Sequence, residues 1–196
     1  MYRGTRLIAV ISVVAAVAVA GCGSAKQSAQ SAPNPNAQEN SPPGDIPDNT
    51  AFVRFKLPGA GFSVKVPEGW ARTGAGSRLT FTSNLNSVTV ESGKANGTLT
   101  PAAVKSGDVA ALARSERGFK LASVVPIHRS GQGAIRVRYD AKGKASQVTG
   151  KTVTDTVERY LFDNNGREAI LTLAGPKGAD NVDAWRTISD SLRWGA

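Results

Sequence analysis

The chain has 196 residues, with 24 lysines and arginines, 15 aspartates and glutamates, one histidine and one cysteine. A single cysteine excludes an internal disulfide scaffold and a cysteine-rich zinc site, and one histidine leaves little material for imidazole catalysis or a histidine-based metal centre. The length suits one ordinary domain. We therefore expect neither a metal nor another cofactor.

The first 22 residues carry the clearest signal. Two arginines precede an uncharged stretch, residues 7–20, which closes on Ala20 and Gly21 directly before Cys22. This pattern resembles the signal peptide of bacterial lipoproteins. The resemblance implies that residues 1–21 are removed and that a diacylglycerol on Cys22 holds the protein in the cell membrane, on its extracytoplasmic face. A transmembrane anchor would need about 20 apolar residues, and an ordinary secretory signal would not need a cysteine at this boundary.

A linker follows the cysteine. Between residues 23 and 50 the chain is rich in Ser, Ala, Gln, Asn and Pro, and Ile46 is the one aliphatic side chain larger than alanine. Such a composition cannot bury enough apolar surface to offset the entropy of ordering the chain. We therefore predict that residues 22–50 form a lipidated cysteine with a disordered linker, and that residues 51–196 form one domain, which holds the excess positive charge.

The domain begins with strands. Apolar and polar residues alternate in residues 52–55 and 61–66, and again in residues 78–83 and 87–92, where a short connection predicts a hairpin. Thr100 and Pro101 are typical of a helix start, and they predict a helix to about residue 117 whose buried side holds Val104, Val109, Leu112 and Ala113.

Sheet resumes after this helix. Four more strands are predicted at residues 119–129, 134–142, 151–162 and 168–175, with a turn at residues 163–166. The final segment predicts a helix capped by Asp180, with Trp194 at its end and with a buried stripe formed by Val182, Trp185, Ile188, Ser189 and Leu192. Strands, a helix, a longer antiparallel sheet and a helix make an α+β order.

Three stretches carry a family resemblance: "FSVKVPEGW" at residues 62–70, the late strand pair around the 163–166 turn, and "DAWRTISDSLRW" at residues 183–194. Together they resemble the Mog1/PsbP-like domain of small extracytoplasmic lipoproteins of the actinobacterial type, such as the mycobacterial LpqN-type proteins. The resemblance spans about residues 52–194. It implies a curved antiparallel sheet packed by helices, which binds partners or an amphiphilic envelope molecule and has no catalytic residues to transfer.

Catalytic arrangements are poorly represented. His128 lies in no motif that supplies a nucleophile and an orienting carboxylate. Asp155 and Glu158 lie on one predicted strand with opposite parity, so their side chains should point to opposite faces. We therefore expect a protein that is not an enzyme.

Two sets of residues are candidate binding sites. Trp70, Trp185 and Trp194 line a pocket between the sheet and the C-terminal helix or fill the core, and helical spacing favours the core for Trp185. Basic side chains concentrate in residues 136–151, and they form either a solvated strand face or a patch for anions or lipid headgroups: Arg136, Arg138, Lys142, Lys144 and Lys151. Stacked aromatic residues for nucleic acid are missing, so no nucleic-acid partner is expected.

These observations favour an exported, membrane-anchored, non-enzymatic binding module for an amphiphilic cell-envelope lipid or glycolipid. The alternative is a docking subunit of a membrane or cell-wall complex that acts through its basic face. An apolar cavity at the boundary of sheet and helix would favour the first hypothesis, and a filled core with a flat basic face the second. A Ser or Asp within reach of His128 would favour a third, a small hydrolase.

Overall fold

The structure is a computed structural model that describes residues 43–145 and 150–195. The described residues form ten strands: β1 (Phe52–Lys56), β2 (Phe62–Pro67), β3 (Ala71–Ala75), β4 (Arg78–Ser83), β5 (Asn86–Lys94), β6 (Lys120–Arg129), β7 (Gln132–Ala145), β8 (Thr152–Asn164), β9 (Arg167–Pro176) and β10 (Arg193–Trp194). The helical segments are α1 (Pro101–Val104), a π-helical turn (Lys105–Val109), α2 (Ala110–Ser115) and α3 (Val182–Ser189). The predicted signal peptide and Cys22 lie outside the described residues.

The strands form two antiparallel sheets. A three-stranded sheet has the order β1-β2-β10, and a seven-stranded sheet has the order β3-β4-β5-β9-β8-β7-β6. The prediction of antiparallel strands combined with helices is confirmed. The four strands predicted before residue 93 correspond to β1, β2, β4 and β5, and they are divided between the two sheets; β3 was not predicted. Both edges of β2 are taken, by β1 on one side and by β10 on the other.

The seven-stranded sheet is the middle layer of the domain. On β8, Tyr160 and Phe162 belong to one apolar cluster, whereas Val157 and Leu161 belong to a second. Because alternate residues of a strand point to opposite faces, the two clusters cover opposite faces of the sheet. The first cluster includes side chains of β1, β2 and α3, and the second includes side chains of the helical segment 101–115.

The first helical segment starts as predicted. The Thr100 hydroxyl accepts a hydrogen bond from the backbone N–H of Ala103 at 3.2 Å, and Pro101 follows it. Val104 and Val109 are buried, but Ala113, expected on the same side, is exposed. The π-helical turn explains the difference, because its wider turn rotates α2 relative to the pattern of a regular α-helix.

The chain before β1 is part of the domain as far back as residue 43. Ile46 is buried in the first cluster, and its backbone N–H donates to Asn181 Oδ1 at 2.7 Å. Asn86 Nδ2 and Asn181 Nδ2 donate to the carbonyl of Gly44 at 2.8 and 3.1 Å. We call these four residues the clasp. The predicted boundary at residues 50 and 51 is therefore wrong: one buried aliphatic side chain and satisfied backbone groups order residues 43–50, and the domain begins no later than residue 43.

The C-terminal helix is present but shorter than predicted. Trp185, Ile188 and Ser189 are buried, whereas Val182 is 66% exposed, contrary to its place in the predicted stripe. Asp180 does not cap the helix, because Asn181 occupies that position and its side chain is engaged in the clasp. α3 ends at residue 189, so Trp194 lies in β10 rather than at a helix end.

Candidate functional site

A cavity of about 440 Å³ opens where the β6–β7 turn, the β8–β9 turn and β10 meet. Its apolar lining comes from Leu99, Pro126, Ile127, Ala134, Ile135 and Trp194. Its polar lining comes from His128, Gln132, Asp163 and Asn164. An apolar cavity with a few polar groups is the usual form of a small-molecule site, and its volume falls in the typical range of roughly 300 to 1,000 Å³.

Trp194 forms an aromatic wall of this cavity. Its ring meets the ring of Phe62 edge to face, with the centroids 5.4 Å apart. Trp194 lies opposite Phe62 in the pairing of β10 with β2, and the next residue, Gly195, donates its N–H to the Gly61 carbonyl at 2.9 Å. The backbone pairing therefore holds the indole in place without a ligand.

Gln132 contributes an acceptor that the described protein does not use. Its Nε2 donates to the carbonyl of Leu192 at 2.9 Å, which fixes the amide plane. Its Oε1 is buried and has no hydrogen-bond partner among the described residues. A buried acceptor without a donor is costly, so Gln132 forms an incompletely paired polar part of the cavity wall.

His128 and Asp163 line the same cavity, which is the proximity that would favour a hydrolase. No hydrogen bond joins the two side chains in the part of the chain that the structure describes, and the hydroxyl of nearby Ser130 donates to the Asp190 carbonyl instead. A nucleophile–base pair needs that hydrogen bond. The described residues therefore contain no assembled nucleophile around His128.

The three tryptophans lie in different surroundings. Trp185 is 8% exposed within the first apolar cluster, and Trp70 packs against the outside of that cluster. The boundary between sheet and α3, where the sequence placed a pocket, is filled by residues such as Leu171 and Ile188, both fully buried. Only Trp194 among the three lines the cavity, which lies at the ends of the strands.

The predicted basic patch is divided by an acid from the neighbouring strand. Glu158 on β8 lies opposite Arg138, and its Oε1 is 3.4 Å from Arg138 Nε and 3.6 Å from Arg136 Nη1. Lys142 and Lys151 are exposed, and the side chain of Lys144 lies outside the described structure. Glu158 thus balances much of the charge of Arg136 and Arg138. It is adjacent to them in the sheet, although it lies 20 residues or more further along the chain.

A second cavity, of about 290 Å³, shares Leu99 and Asp163 with the first and is also lined by Asp108 and Glu168. Burial, assisted by the negative charge of Asp108, raises the pKa of Glu168. No group of three or more His, Cys, Asp or Glu side chains within residues 43–145 and 150–195 is arranged to hold a metal ion.

A buried ion network lies close to this second cavity. The Arg159 guanidinium, 9% exposed, donates to both carboxylate oxygens of Asp108 at 3.0 to 3.1 Å and to Glu91 Oε2 at 2.8 Å. Burial lowers the pKa of Arg159, but the two carboxylates outweigh it and the net shift is upward.

Sequence reasoning missed the polar side chains that define these cavities. Gln132 lies in a turn-like stretch, "SGQG", and nothing in its neighbourhood marks it as a site. Arg159 was detectable in principle, because it lies between the apolar Val157 and Leu161 on one face of β8, and both of these residues are buried. Such an interruption indicates a buried charge with partners elsewhere in the chain.

No protein-family model and no curated protein matches the chain. Among solved structures, the cyanobacterial PsbP protein CyanoP from Synechocystis is 15% identical, with a TM-score of 0.54 over 74% of this chain and 93% of that chain. The Ran-binding protein Mog1p of Saccharomyces cerevisiae is 10% identical, with a TM-score of 0.50 over 74% of this chain and 96% of that chain.

Two further structures match at lower TM-scores. LpqN of Mycobacterium tuberculosis, described as involved in cell envelope biogenesis, is 16% identical, with a TM-score of 0.42 over 74% of this chain and 91% of that chain. A Bacteroides thetaiotaomicron structure is 15% identical, with a TM-score of 0.49 over 72% of this chain. The match spans about half, 47%, of the length of that protein. At such identities a likeness concerns the fold alone, and the two structures with the higher TM-scores, CyanoP and Mog1p, show that the chain has a Mog1/PsbP-like fold.

Proposed function

We propose that the protein is an exported bacterial lipoprotein of the actinobacterial type, without enzymatic activity, whose domain binds an amphiphilic cell-envelope lipid or glycolipid. In this proposal Cys22 carries the diacylglycerol and the domain lies at the extracytoplasmic face of the cell membrane. The leader pattern before Cys22 supports the anchoring. No helix among the described residues is long and apolar enough to cross a membrane.

The cavity beside Trp194 carries the proposal. Its six apolar lining residues suit an acyl chain, since each buried methylene contributes about 0.8 kcal/mol. The amide side chains of Gln132 and Asn164 suit hydroxyl groups at the polar end of such a molecule. An apolar wall with hydrogen-bonding groups at one side is complementary to an amphiphile.

Gly133 permits a direct test, because it lines the cavity and a Cβ added there would meet no atom within 4 Å. A Gly133→Leu variant therefore adds an apolar side chain to the cavity lining without displacing the protein. Gly107→Leu is the matched control, because Gly107 also has open space around its Cβ and lines the second cavity instead.

Native mass spectrometry of the full-length protein, extracted from its own membranes, provides the measurement. We expect wild type and Gly107→Leu to carry a bound lipid or glycolipid in addition to the covalent anchor, and Gly133→Leu to have lost it. Absence of any bound amphiphile from wild type, or equal occupancy in the two variants, would reject the cavity as the binding site.

A second candidate is a docking subunit of a membrane or cell-wall complex. The exposure of Arg138, Lys142 and Lys151 at one side of the domain favours it. In this case cross-linking in intact cells would join a defined membrane or wall protein to wild type and to Gly133→Leu alike. A variant with these three side chains changed to Gln would lose that product.

A further inference from the structure

The outward face of the three-stranded sheet carries four basic side chains. Lys56, Ser63 and Arg193 form one row across the three strands, and Arg54 lies opposite Lys65 in the next row. The four basic residues are exposed, whereas Ser63 beneath them is buried. Sequence reasoning did not find this group, because its members are separated by up to 139 positions in the chain and meet only when β10 pairs with β2.

Within the part of the chain that the structure describes, no acid balances this basic face. The three strands, and residues 57–61 between β1 and β2, contain no aspartate or glutamate. None of the four cations forms an ion pair with a carboxylate among the described residues, in contrast to Arg136 and Arg138, which share Glu158. Like charges directly opposite one another on a sheet are destabilising. The repulsion between Arg54 and Lys65 therefore destabilises the pairing of β1 with β2, and an external anion would reduce this repulsion.

Hydrogen bonds hold the two guanidinium groups in place on this face. Arg54 Nη1 donates to the Ser191 carbonyl at 2.7 Å and to Ser63 Oγ at 3.3 Å. Arg193 Nη1 donates to the carbonyls of Asp190 and Leu192 at 2.9 and 2.7 Å. These carbonyls belong to the segment that follows α3, so the charges are positioned before any partner arrives, and little side-chain entropy is left to lose on docking.

We propose that this basic face docks on a bilayer that contains anionic lipid, an inference that rests on the proposed function of a membrane-anchored lipid binder. The four charges are distributed over one side of a sheet, and none of them lines either cavity. A planar charged surface complements that arrangement better than a compact ligand does. Each basic residue near an anionic bilayer strengthens the association roughly fivefold at low salt.

Docking in this way also brings the cavity to the membrane. Arg193 lies in the basic face, and the next residue, Trp194, points to the other side of β10, where it forms the cavity wall. Residues on opposite sides of one strand are adjacent along the chain. The rim beside Trp194 would therefore lie close to the lipid headgroups when the face is docked, which gives an amphiphile a short path between bilayer and cavity.

Hydrogen exchange of the full-length protein in vesicles tests this proposal. The vesicles contain phosphatidylcholine alone or phosphatidylcholine with phosphatidylglycerol. β1 is an edge strand, so the amides on its free side exchange readily unless another surface covers them. We expect peptides that contain β1 and β2 to exchange more slowly on the anionic vesicles only, and the difference to fade in 1 M salt, where the Debye length is about 3 Å.

Two double variants with equal net charge make the test specific to this face. In Lys56→Gln/Lys65→Gln the surface association should weaken roughly thirtyfold and the protection should disappear. In Lys120→Gln/Lys142→Gln, which removes two exposed lysines from β6 and β7, the protection should persist. The proposal would be overturned if the protection were the same on neutral and anionic vesicles, or if both variants lost it equally. Protection of β6 and β7 in place of β1 and β2 would also overturn it.

The cavity variant separates this proposal from the proposed function. Gly133→Leu leaves the four basic side chains unchanged and should therefore show the same protection of β1 and β2 on anionic vesicles. Loss of bound amphiphile with retained docking would support both proposals. Bound amphiphile without docking would reject the basic face alone, and docking without any bound amphiphile in wild type would reject the cavity alone.

Discussion

At the scale of single residues, the most consequential group is the buried guanidinium of Arg159. It pairs with Asp108 and Glu91, and Glu91 also pairs with Arg78 at 2.7 Å on the exposed side. The same carboxylate thus makes one buried and one exposed ion pair. Water screens the exposed pair with Arg78 more strongly than the buried pair with Arg159. The exposed pair therefore contributes less to the free energy of unfolding.

Replacing Arg159 with Met should lower the free energy of unfolding by about 3 to 5 kcal/mol, because Asp108 and Glu91 are left without their buried partner. The matched control is Arg78→Met, which removes the 64% exposed arginine from the same Glu91 and should cost less than about 1 kcal/mol. Urea unfolding of the two variants gives the comparison. Equal losses would contradict the assignment of Arg159 as a structural charge.

Asp155 makes the stability depend on pH. Burial raises its pKa from 3.8 to about 6, its Oδ1 has no hydrogen-bond partner among the described residues, and Gly143 leaves it space, since a Cβ there would lie 2.5 Å from Oδ2. Because the folded pKa exceeds the unfolded one, the folded state binds the proton more tightly. The stabilising contribution is therefore complete below about pH 4 and lost as the pH rises through about 6.

We expect Asp155→Asn to remove this dependence. As the pH rises from 4 to 7, the thermal midpoint of the variant should increase relative to that of wild type. At pH 7 the variant should be the more stable of the two. Thermal unfolding followed by circular dichroism across this range checks the expectation. Parallel profiles for the two proteins would show that Asp155 titrates as an ordinary carboxyl.

At the scale of elements, the clasp joins three separate parts of the chain. Asn181 before α3 and Asn86 at the start of β5 bind each other at 3.0 Å and both bind Gly44. A side chain at Gly175 could not be accommodated, because its Cβ would lie 2.3 Å from Asn86 Oδ1. The network orders the chain before β1 without a regular element of its own.

Asn181→Ala should release residues 43–50. It leaves the backbone N–H of Ile46 without its acceptor, at a cost of about 1 to 3 kcal/mol for a buried unsatisfied group. Limited proteolysis with end sequencing provides the measurement. Wild type should give a resistant core that begins no later than residue 43, and the variant a core that begins near Ala51; identical cores would contradict the role of the clasp.

Trp185 anchors α3 to the first apolar cluster. Trp185→Ala should lower the free energy of unfolding by about 3 to 5 kcal/mol. Trp185→Phe should cost less, because the indole Nε1 donates to no acceptor among the described residues. Val182→Ala, on the exposed side of the same helix, should stay within about 0.5 kcal/mol of wild type. Chemical denaturation of the three variants gives the ranking, and an unchanged Trp185→Ala would place Trp185 at the surface.

Most elements are predictable from the sequence because their signals are local. Alternation in β2, β4 and β5 and the Thr100–Pro101 helix start depend on residues within one element. The π-helical turn is not predictable in this way, since it changes which side chains are buried without changing helical composition. Ile46 is missed for a related reason: a single aliphatic residue in a polar stretch has no period, and its burial depends on Asn181, 135 positions later.

At the scale of the whole molecule, the layered α+β arrangement follows from the order of predicted elements, but the assignment of strands to sheets does not. β10 has two residues and no sequence pattern, yet it completes the three-stranded sheet and carries both Arg193 and Trp194. The cavity lining likewise comes from Leu99, two hairpin turns and β10, which only the folded topology brings together. Local patterns cannot encode such distant combinations.

The lipid anchor is a prediction about the whole molecule as well, because it decides where the domain is held. Replacing Cys22 with Ala should abolish incorporation of labelled fatty acid and reduce the share of the protein in the membrane fraction. Ser24→Ala, two residues on, is the control and should be labelled like wild type. Undiminished labelling of the Cys22 variant would refute the assignment.

The clasp determines how mechanical force would enter the domain. A pull on the N-terminal side of the chain meets Gly44 and Ile46 before it reaches β1, and these two residues are bonded to the starts of β5 and α3. Tension would therefore be borne by side-chain hydrogen bonds and by the buried Ile46, and the edge strand β1 would be spared from peeling. Held by the proposed lipid anchor, a domain built in this way would keep its small sheet intact under drag.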